Sequence, residues 1–386
     1  MLKKDKKNII FLIALIVILL VIFFVRPSLS GEDGDNSPVH GKVIKIHSTE
    51  NKGSERFSNA DVKIISGKLK GKVITVQNFV GGKIKDEGSS TQSFVRVGDE
   101  VLVNIDRYGE KGNVEDAYIY EIVRYKYLYK LALFFIISLA VIGGKKGLKS
   151  IITLIITGFM VIKVLIPLII QGFNPTLVSS LICIFVIIVN LLIISGKNEK
   201  TLAAIIGTSG GVLIAGIIAL LSNFIIRVNG LTDEEMQSII YTSQNANFNF
   251  HGLLFAGIIM GALGAVMDVS MSIASSIKEI ESAKPDMNLQ ELIRSGMNVG
   301  KDIMGTMANT LILAYVGGAM YIMIMVSSYS YSTSISTAID QDIIASEILK
   351  ALAGSIGLVF AVPITAVVSA VLVKMHSNKK TEISKG

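Results

Sequence analysis

Long apolar runs separated by short polar connections dominate the chain. The first run extends from Ile9 to Val25, and seven further runs follow after Lys126. These seven cover roughly Tyr127–Ile142, Ile151–Ile170, Thr176–Ile194, Thr201–Ile226, His251–Ser275, Ile303–Val326 and Ser346–Val373. About 20 apolar residues are enough for an α-helix to cross the hydrocarbon core of a membrane. The pattern predicts an α-helical polytopic membrane protein with about eight transmembrane helices.

The first run, within residues 1–26, has two interpretations. It is longer than the roughly 7 to 15 apolar residues of a typical signal peptide and close to the lower limit for a span. The small residues of Ser28-Leu29-Ser30-Gly31 are nevertheless compatible with cleavage by a signal peptidase. We expect a retained signal anchor, with a cleaved signal peptide as the alternative.

Residues 38–126 have the alternating pattern of β-strands instead. Glycine-containing turns separate five predicted strands, Val39–His47, Ala60–Ile65, Lys72–Phe79, Phe94–Ile105 and Ala117–Val123. Such short strands, rich in branched and aromatic residues, suit a half-buried sheet. Their number and length predict a small all-β domain, an OB-like closed or nearly closed barrel. A spacer or partner-docking role is favoured over ligand binding.

The positive charges predict the topology. Lysine and arginine lie in alternate connections and in the C-terminal tail, at positions 145, 146, 149, 197, 200, 278, 284, 294, 301, 374, 379 and 380. Cytoplasmic connections carry this excess in membrane proteins. We therefore expect a bacterial cytoplasmic-membrane protein with both termini inside and the β domain outside. The predicted divisions are residues 1–26, 38–126, a seven-helix membrane domain at 127–376 and a cytoplasmic tail at 377–386.

Composition narrows the classes of partner and cofactor. The chain is 51% hydrophobic and 17% charged, with a formal net charge of +7. Its basic residues lie between apolar runs, which favours lipid headgroups over nucleic acid. Cys183 is the only cysteine, which excludes an internal disulfide and a multi-cysteine metal site. We expect no cofactor and no metal.

Two connections are expected to have structure of their own. Residues 231–236 have the capping pattern of a short external helix. On the cytoplasmic side, Asn288 and Glu291 begin a stretch in which Leu289, Leu292, Ile293 and Met297 share one helical face. That pattern predicts an interfacial amphipathic helix before the next span.

A stripe of small and polar residues marks the run His251–Ser275. Gly257, Gly261, Gly264 and Asp268 follow one another at intervals of four, three and four residues, so they share one helical face, which Ser272 and Ser275 continue. Glycines at this spacing favour close helix packing. A carboxylate within a span is costly unless it is paired, protonated or hydrated, so Asp268 is the leading candidate for a functional site.

Depth in the membrane suggests partners for Asp268. Counted from the cytoplasmic ends at about 1.5 Å per residue, Asn309, Thr310 and Asn190 lie at a similar level. Thr306 and Asp302 share a face with Asn309. Lys163 lies deeper, and it either reaches the cluster through a tilted helix or extends outward. We expect an interior polar cluster with Asp268 facing the spans that contain Asn190 and Asn309.

Patterns for enzymatic chemistry are weaker. Gly207-Thr208-Ser209-Gly210 resembles the serine motif of rhomboid proteases, but the nearest histidine, His251, begins its span on the opposite side. A packing stripe of Ala203, Gly207, Gly211 and Ala215 explains this segment better. The sequence contains no Gly-x-Gly-Asp element, no P-loop and no His-Glu-x-x-His motif. We expect that the protein is not an enzyme.

Three segments resemble the YibE/F-like family of bacterial membrane proteins. They are Gly252–Gly257, Gly261–Asp268 and Gly300–Leu311, and the resemblance extends from the first β segment to the last span. Lys301 stands where the family pattern usually has arginine, which preserves the charge. The family has no secure biochemical activity, so the resemblance implies a membrane protein and little about its task.

Two functional hypotheses follow. The leading one is a transporter or permease for a small solute or ion, with the polar cluster as its site. The alternative is a non-transporting scaffold or sensor that uses its external β domain. The expected partners are the lipid bilayer, an unknown solute or ion and a protein partner at the β domain, with no nucleic acid.

Overall fold

A computed structural model describes residues 38–52, 55–67, 69–79, 95–108, 114–228, 249–329 and 335–385. Its contacts divide the described chain into two compact units. The first ends at Ile142, and the second begins at Gly143. The first apolar run and the short helix predicted at residues 231–236 lie outside the described residues.

The first unit contains a closed five-stranded barrel, which confirms the small barrel predicted from the sequence. Its strands are β1 (Val39–Lys52), β2 (Glu55–Ile64), β3 (Val73–Phe79), β4 (Glu100–Tyr108) and β5 (Val114–Ile122). They follow one another around the barrel in the order β1, β2, β3, β5, β4. A parallel contact between β3 and β5 and an antiparallel one between β1 and β4 complete the closure.

Alternation of apolar and polar residues explains the barrel core. Val43, Val62, Val76, Val101 and Val103 point inward and are buried. The fourth strand begins later than predicted, at Glu100, because residues 96–99 form a turn. In this turn Arg96 N donates to Asp99 Oδ2, and Gly98 adopts a positive φ of 98°. A left-handed backbone angle of this kind favours glycine.

Side-chain interactions on the outer surface of the barrel should make its stability depend on pH. Thr75 Oγ1 donates to Asp61 Oδ1 over 2.8 Å, and His47 Nε2 lies 2.9 Å from Asp61 Oδ2. Chiefly the Thr75 hydrogen bond, and secondarily His47, holds the pKa of Asp61 below its ordinary value. A depressed carboxyl pKa contributes stability at neutral pH that is lost as the pH falls through the folded-state pKa.

We therefore expect the isolated barrel, residues 38–124, to melt cooperatively with a strand-type circular dichroism spectrum and a Tm that falls between pH 6 and pH 3. Asp61→Asn should reduce that fall by up to about 4 °C, because a partly exposed interaction contributes little. Asp116→Asn, at an exposed position, is the control. An equal fall in wild type and Asp61→Asn would contradict the assignment.

Beyond the barrel the described chain is helical. The helices are α1 (Tyr125–Phe159), α2 (Ile166–Ile170), α3 (Pro175–Ser195), α4 (Glu199–Ile226), α5 (Phe250–Ala283), α6 (Leu289–Gly318), α7 (Met320–Tyr329), α8 (Ile335–Ile339) and α9 (Asp342–Lys385). A π-helical segment, Met160–Leu165, joins α1 to α2. Pro167 explains it, because a proline ring clashes with the carbonyl group four residues earlier and cannot donate a hydrogen bond.

Five of the described helical stretches are long and apolar enough to cross a membrane: Tyr125–Ile170, Pro175–Ser195, Glu199–Ile226, Phe250–Ala283 and Asp342–Ser377. Two predicted runs form the first stretch, which is kinked where Gly144 leaves the helical conformation. The predicted run Ile303–Val326 is divided at Ala319 between α6 and α7. The predicted count of eight spans is therefore not reproduced among the described residues.

The closest helix packing in the second unit lies between α4 and α9. A Cβ atom added at Gly211 would come within 2.8 Å of the Gly357 carbonyl oxygen and 2.7 Å of Ala361 Cβ. Gly207 lies equally close to Thr365. Small residues permit this approach between helices. The predicted packing stripe on α4 is confirmed.

The start of α6 differs from its prediction. The capping box between Asn288 and Glu291 is present, but the helix continues without a break from Leu289 to Gly318. Leu292 is fully buried, and Gly296 lies against Ile277 and Ala366. The expected separate interfacial helix is thus the first part of α6, and it packs against α5 and α9.

Candidate functional site: a polar face on helices α5 and α6

Helix α5 exposes no large hydrophobic side chain at any of its positions, although it is long and apolar enough to span a membrane. Its exposed residues along the predicted stripe are Gly257, Gly261, Gly264, Asp268 and Ser272. The apolar residues of α5 are turned into the helix bundle, where Ile258, Ile259, Val266 and Ile273 are fully or almost fully buried. The side of α5 that remains free is therefore small and polar.

Helix α6, which packs beside α5, also has an exposed polar side. It packs through Leu292, Gly296, Gly300 and Leu311 and has the strongest amphipathic character of the long helices. Its exposed polar side includes Asp302, Gly305, Thr306, Asn309 and Thr310. We call the exposed residues 257, 261, 264, 268 and 272 of α5, together with 302, 305, 306, 309 and 310 of α6, the polar face.

The two contributions to the polar face lie at matching levels. Helices α5 and α6 form a hairpin in which Ile273 is adjacent to Gly300, and Gly261 is adjacent to Tyr315. Asp268 falls between these two contacts along α5. The residue of α6 at the same depth as Asp268 is therefore near Thr306, which lies within about one turn of both Asp302 and Asn309.

Most polar groups of this face lack partners from other helices. Thr306 Oγ1 donates to the Ile303 carbonyl oxygen, and Thr310 Oγ1 donates to that of Thr306, so both hydroxyls bond to their own helix. Within the described part of the chain, neither the Asp268 carboxylate nor the Asn309 amide has a hydrogen bond. In hydrocarbon, which supplies no such bond, an unsatisfied polar group costs several kcal/mol, on the order of 2 to 7.

The structure therefore differs from the sequence prediction of an interior cluster. Asp268 is exposed rather than enclosed between α3 and α6. Asn190 is buried on α3 and donates through Nδ2 to Thr157 Oγ1 of α1 over 3.0 Å. Lys163 is half-buried in the π-helical segment. Asp268 on α5 and Asp302, Thr306, Asn309 and Thr310 on α6 are all exposed, at similar levels of two adjacent helices, whereas no hydrogen bond joins Asn190 or Lys163 to them.

The three predicted packing glycines differ in whether they contact another helix. Gly261 lies against the Tyr315 hydroxyl, as expected for a packing glycine. A Cβ atom added at Gly257 or Gly264 would meet no described atom within 4 Å. The same holds for Gly305 on α6, a residue that the sequence analysis did not single out. Its spacing of three and four residues from Asp302 and Asn309 is the signal that could have identified it.

Other helices of this unit present a different exterior. Leu181 of α3 is 69% exposed and Leu213 of α4 is 48% exposed. Helix α9 similarly exposes Leu352 and Phe360. Large apolar side chains at such positions suit contact with lipid tails. The polar face is thus distinct from the lipid-compatible sides of the same bundle.

The weaker enzymatic patterns are not assembled into a site in the described residues. Ser209 lines an apolar groove of about 150 Å³ together with Cys183, Phe255 and other side chains of α3, α4 and α5. His251 is exposed in the first turn of α5 and does not line that groove. The described residues contain no group of three or more histidine, cysteine, aspartate or glutamate side chains that could hold a metal ion.

The apolar helices define an α-helical membrane protein that also carries a small β-barrel. A model of the YibE/F-like protein family matches residues 131–375. Since this is more than half of the chain, the protein belongs to the YibE/F-like family. The matched region begins after the barrel, so it is shorter than the nearly complete resemblance expected from the sequence. No match was found among curated proteins or among solved structures.

Proposed function

We propose that the protein is a permease that moves a small solute or ion along the polar face of α5 and α6. The observation that supports this is the Asp268 carboxylate, which is exposed and without a hydrogen bond in the described chain, on a helix apolar enough to span the membrane. Intramembrane carboxylates typically mark ion and substrate pathways. The protein is not an enzyme in this proposal, and any energy input comes from an ion gradient or a partner.

The chemistry of the polar face favours a hydrated cation or a proton-coupled solute. Asp268 offers carboxylate oxygens, while Asn309 and Thr306 offer neutral oxygens within one helical turn of its level. Hard cations are bound through such oxygen ligands. Asp302, further along the same face, adds a second carboxylate nearer the cytoplasmic end.

The alternative, a scaffold or sensor, would use the barrel as its external contact surface. In this alternative the Asp268 carboxyl group has only a structural role, and its ionisation is dispensable. The exposed position of Asp268 and its lack of a hydrogen bond in the described chain favour the permease over this alternative.

The proposed setting is the bacterial cytoplasmic membrane, with eight spans, a retained first anchor, both termini inside and the barrel outside. The one-sided distribution of lysine and arginine supports this orientation. Residues 1–26, 38–126, 127–376 and 377–386 are the corresponding parts of the chain.

Thiol labelling provides the test of this topology. Starting from Cys183→Ser, we expect an impermeant reagent added to intact cells to label Val97→Cys, at a position 62% exposed on the barrel, but not Ser282→Cys. Ser58 is unsuitable as a reporter because it is buried and accepts a hydrogen bond from Asn78 Nδ2. Permeabilised cells, in which both cysteines should react, are the control. External labelling at Ser282→Cys would exclude the orientation.

The permease hypothesis is tested by comparing the ion and metabolite contents of cells that lack the protein with those of cells that express it. A solute whose level differs should then move faster across proteoliposomes that contain the purified protein than across protein-free vesicles. If no solute or ion differs and reconstituted membranes conduct none of the candidates, the permease proposal fails and the scaffold is favoured.

A further inference from the structure

We propose that the polar face is also the contact surface between two copies of this chain, which meet face to face in the membrane. This inference goes beyond transport, since it depends on how the polar groups are shielded from lipid and not on whether a solute passes. This surface contains an unbonded carboxylate, an unbonded amide and open glycines, that is, glycines with empty space where a side chain would lie. It is unsuited to hydrocarbon, and we expect it to be covered by another protein surface that offers hydrogen-bonding groups.

The open glycines indicate that the cover is a closely packed helix. The positions that a Cβ atom would occupy at Gly257, Gly264 and Gly305 have no described atom within 4 Å. Glycines spaced along one face allow two helix backbones to approach and to gain van der Waals contact. Helix α5 thus has the small-residue spacing of a helix contact on its free side.

A second copy supplies the right groups at the right depth. A two-fold axis along the membrane normal preserves depth, so residues at equal levels of the two copies come together. Asp268 of one copy can therefore meet α6 of the other near Thr306 and Asn309. The Asn309 amide has two N–H donors, and the Asp268 carboxylate has acceptors that lack a partner in its own described chain.

Within a single chain, the apolar run at residues 9–25 is a poorer cover. Every residue from Ile9 to Val25 is apolar, so this run has no side-chain donor for Asp268. The exposed sides of α3, α4 and α9 are likewise rich in leucine, isoleucine and phenylalanine. The polar face, in contrast to these leucine-rich sides, combines open glycines with hydrogen-bonding side chains.

Cysteine cross-linking of the full chain in native membranes tests the dimer. In the Cys183→Ser background we expect Ser272→Cys, Gly264→Cys or Gly305→Cys to give a covalent dimer under mild oxidation. Leu181→Cys and Leu213→Cys, exposed on α3 and α4, are matched controls and should remain monomeric. Equal cross-linking at face and control positions, or none at any face position, would overturn the proposal.

A second variant separates a helix contact from mere proximity. Gly264→Leu adds bulk where a single chain has open space, so it should leave the thermal stability of the monomer unchanged. Because it blocks close approach, it should raise the dissociation constant of the dimer about tenfold or more. Photobleaching of fluorescently tagged wild-type protein in nanodiscs should show two steps, and a single step would contradict the dimer.

A second experiment tests whether the first apolar run, residues 9–25, covers the polar face within a single chain. A cross-link between Gly305→Cys and Ala14→Cys of the same molecule, identified by mass spectrometry, would assign the cover to the first apolar run and overturn the dimer. These results are distinguishable from a failure of the permease proposal. Absence of a dimer at the face positions with intact solute flux contradicts only the contact surface, whereas a cross-linked dimer without flux contradicts only transport.

Discussion

Gly211→Leu is expected to prevent stable assembly of the helix bundle. The new side chain would begin 2.8 Å from the Gly357 carbonyl oxygen and 2.8 Å from Val266 Cγ1, and the backbone atom among these cannot move aside without separating α4 from α9. Overpacking a close-packed interior costs about 1 to 3 kcal/mol even for small additions, and leucine adds four carbon atoms. We expect a loss of more than about 3 kcal/mol, measured as a lower melting temperature in detergent and a lower yield of folded protein.

The matched control is Gly158→Leu. Gly158 is also a helical glycine of the second unit, but a Cβ atom added there meets nothing described within 4 Å. It should retain a melting temperature close to that of the wild type. If Gly211→Leu were as stable as Gly158→Leu, the close contact between α4 and α9 would be wrong.

Asp268→Asn is expected to abolish the solute flux while leaving membrane insertion and thermal stability nearly unchanged. Asparagine keeps the size and the hydrogen-bonding capacity of aspartate but removes its ability to ionise. If the carboxylate binds a cation or carries a proton, flux into proteoliposomes should fall at least tenfold, which corresponds to a loss of about 1.4 kcal/mol or more at the rate-limiting step. The measurement is the initial rate of uptake at equal protein content.

Two further variants are needed to interpret the flux of Asp268→Asn. Asp268→Leu should abolish flux as well, because leucine can neither ionise nor form a hydrogen bond. Glu279→Gln removes an exposed carboxylate from the same side of α5 but about three turns beyond Asp268, past the end of the polar face, so its flux should match that of the wild type. Full flux in Asp268→Asn would mean that the charge is dispensable and would favour the scaffold.

Local patterns in the sequence were sufficient for the elements of this fold. Alternating residues such as Val101 and Val103 identified the inward side of a strand, because successive side chains point to opposite faces. The spacing of Gly207 and Gly211 identified a packed side of α4, because residues four apart lie on one helical face. Helix breaks were less predictable. The division at Ala319 falls inside an apolar stretch and had no signal in the sequence, whereas the kink at Gly144 lies in the connection predicted between two apolar runs.

The site shows where sequence information ends for this protein. Helical spacing by itself determined that Asp268 shares a face with Gly257, Gly261 and Gly264, and depth counted from the cytoplasmic ends suggested Asn309, Thr310 and Asn190 as its partners. Only the tertiary structure decided that this face is on the outside of the described bundle and that Asn190 bonds instead to Thr157. The physical reason is that helical periodicity fixes which residues share a side of a helix but not what that side meets. An interior polar cluster and a polar contact surface between copies require the same stripe of small and polar residues.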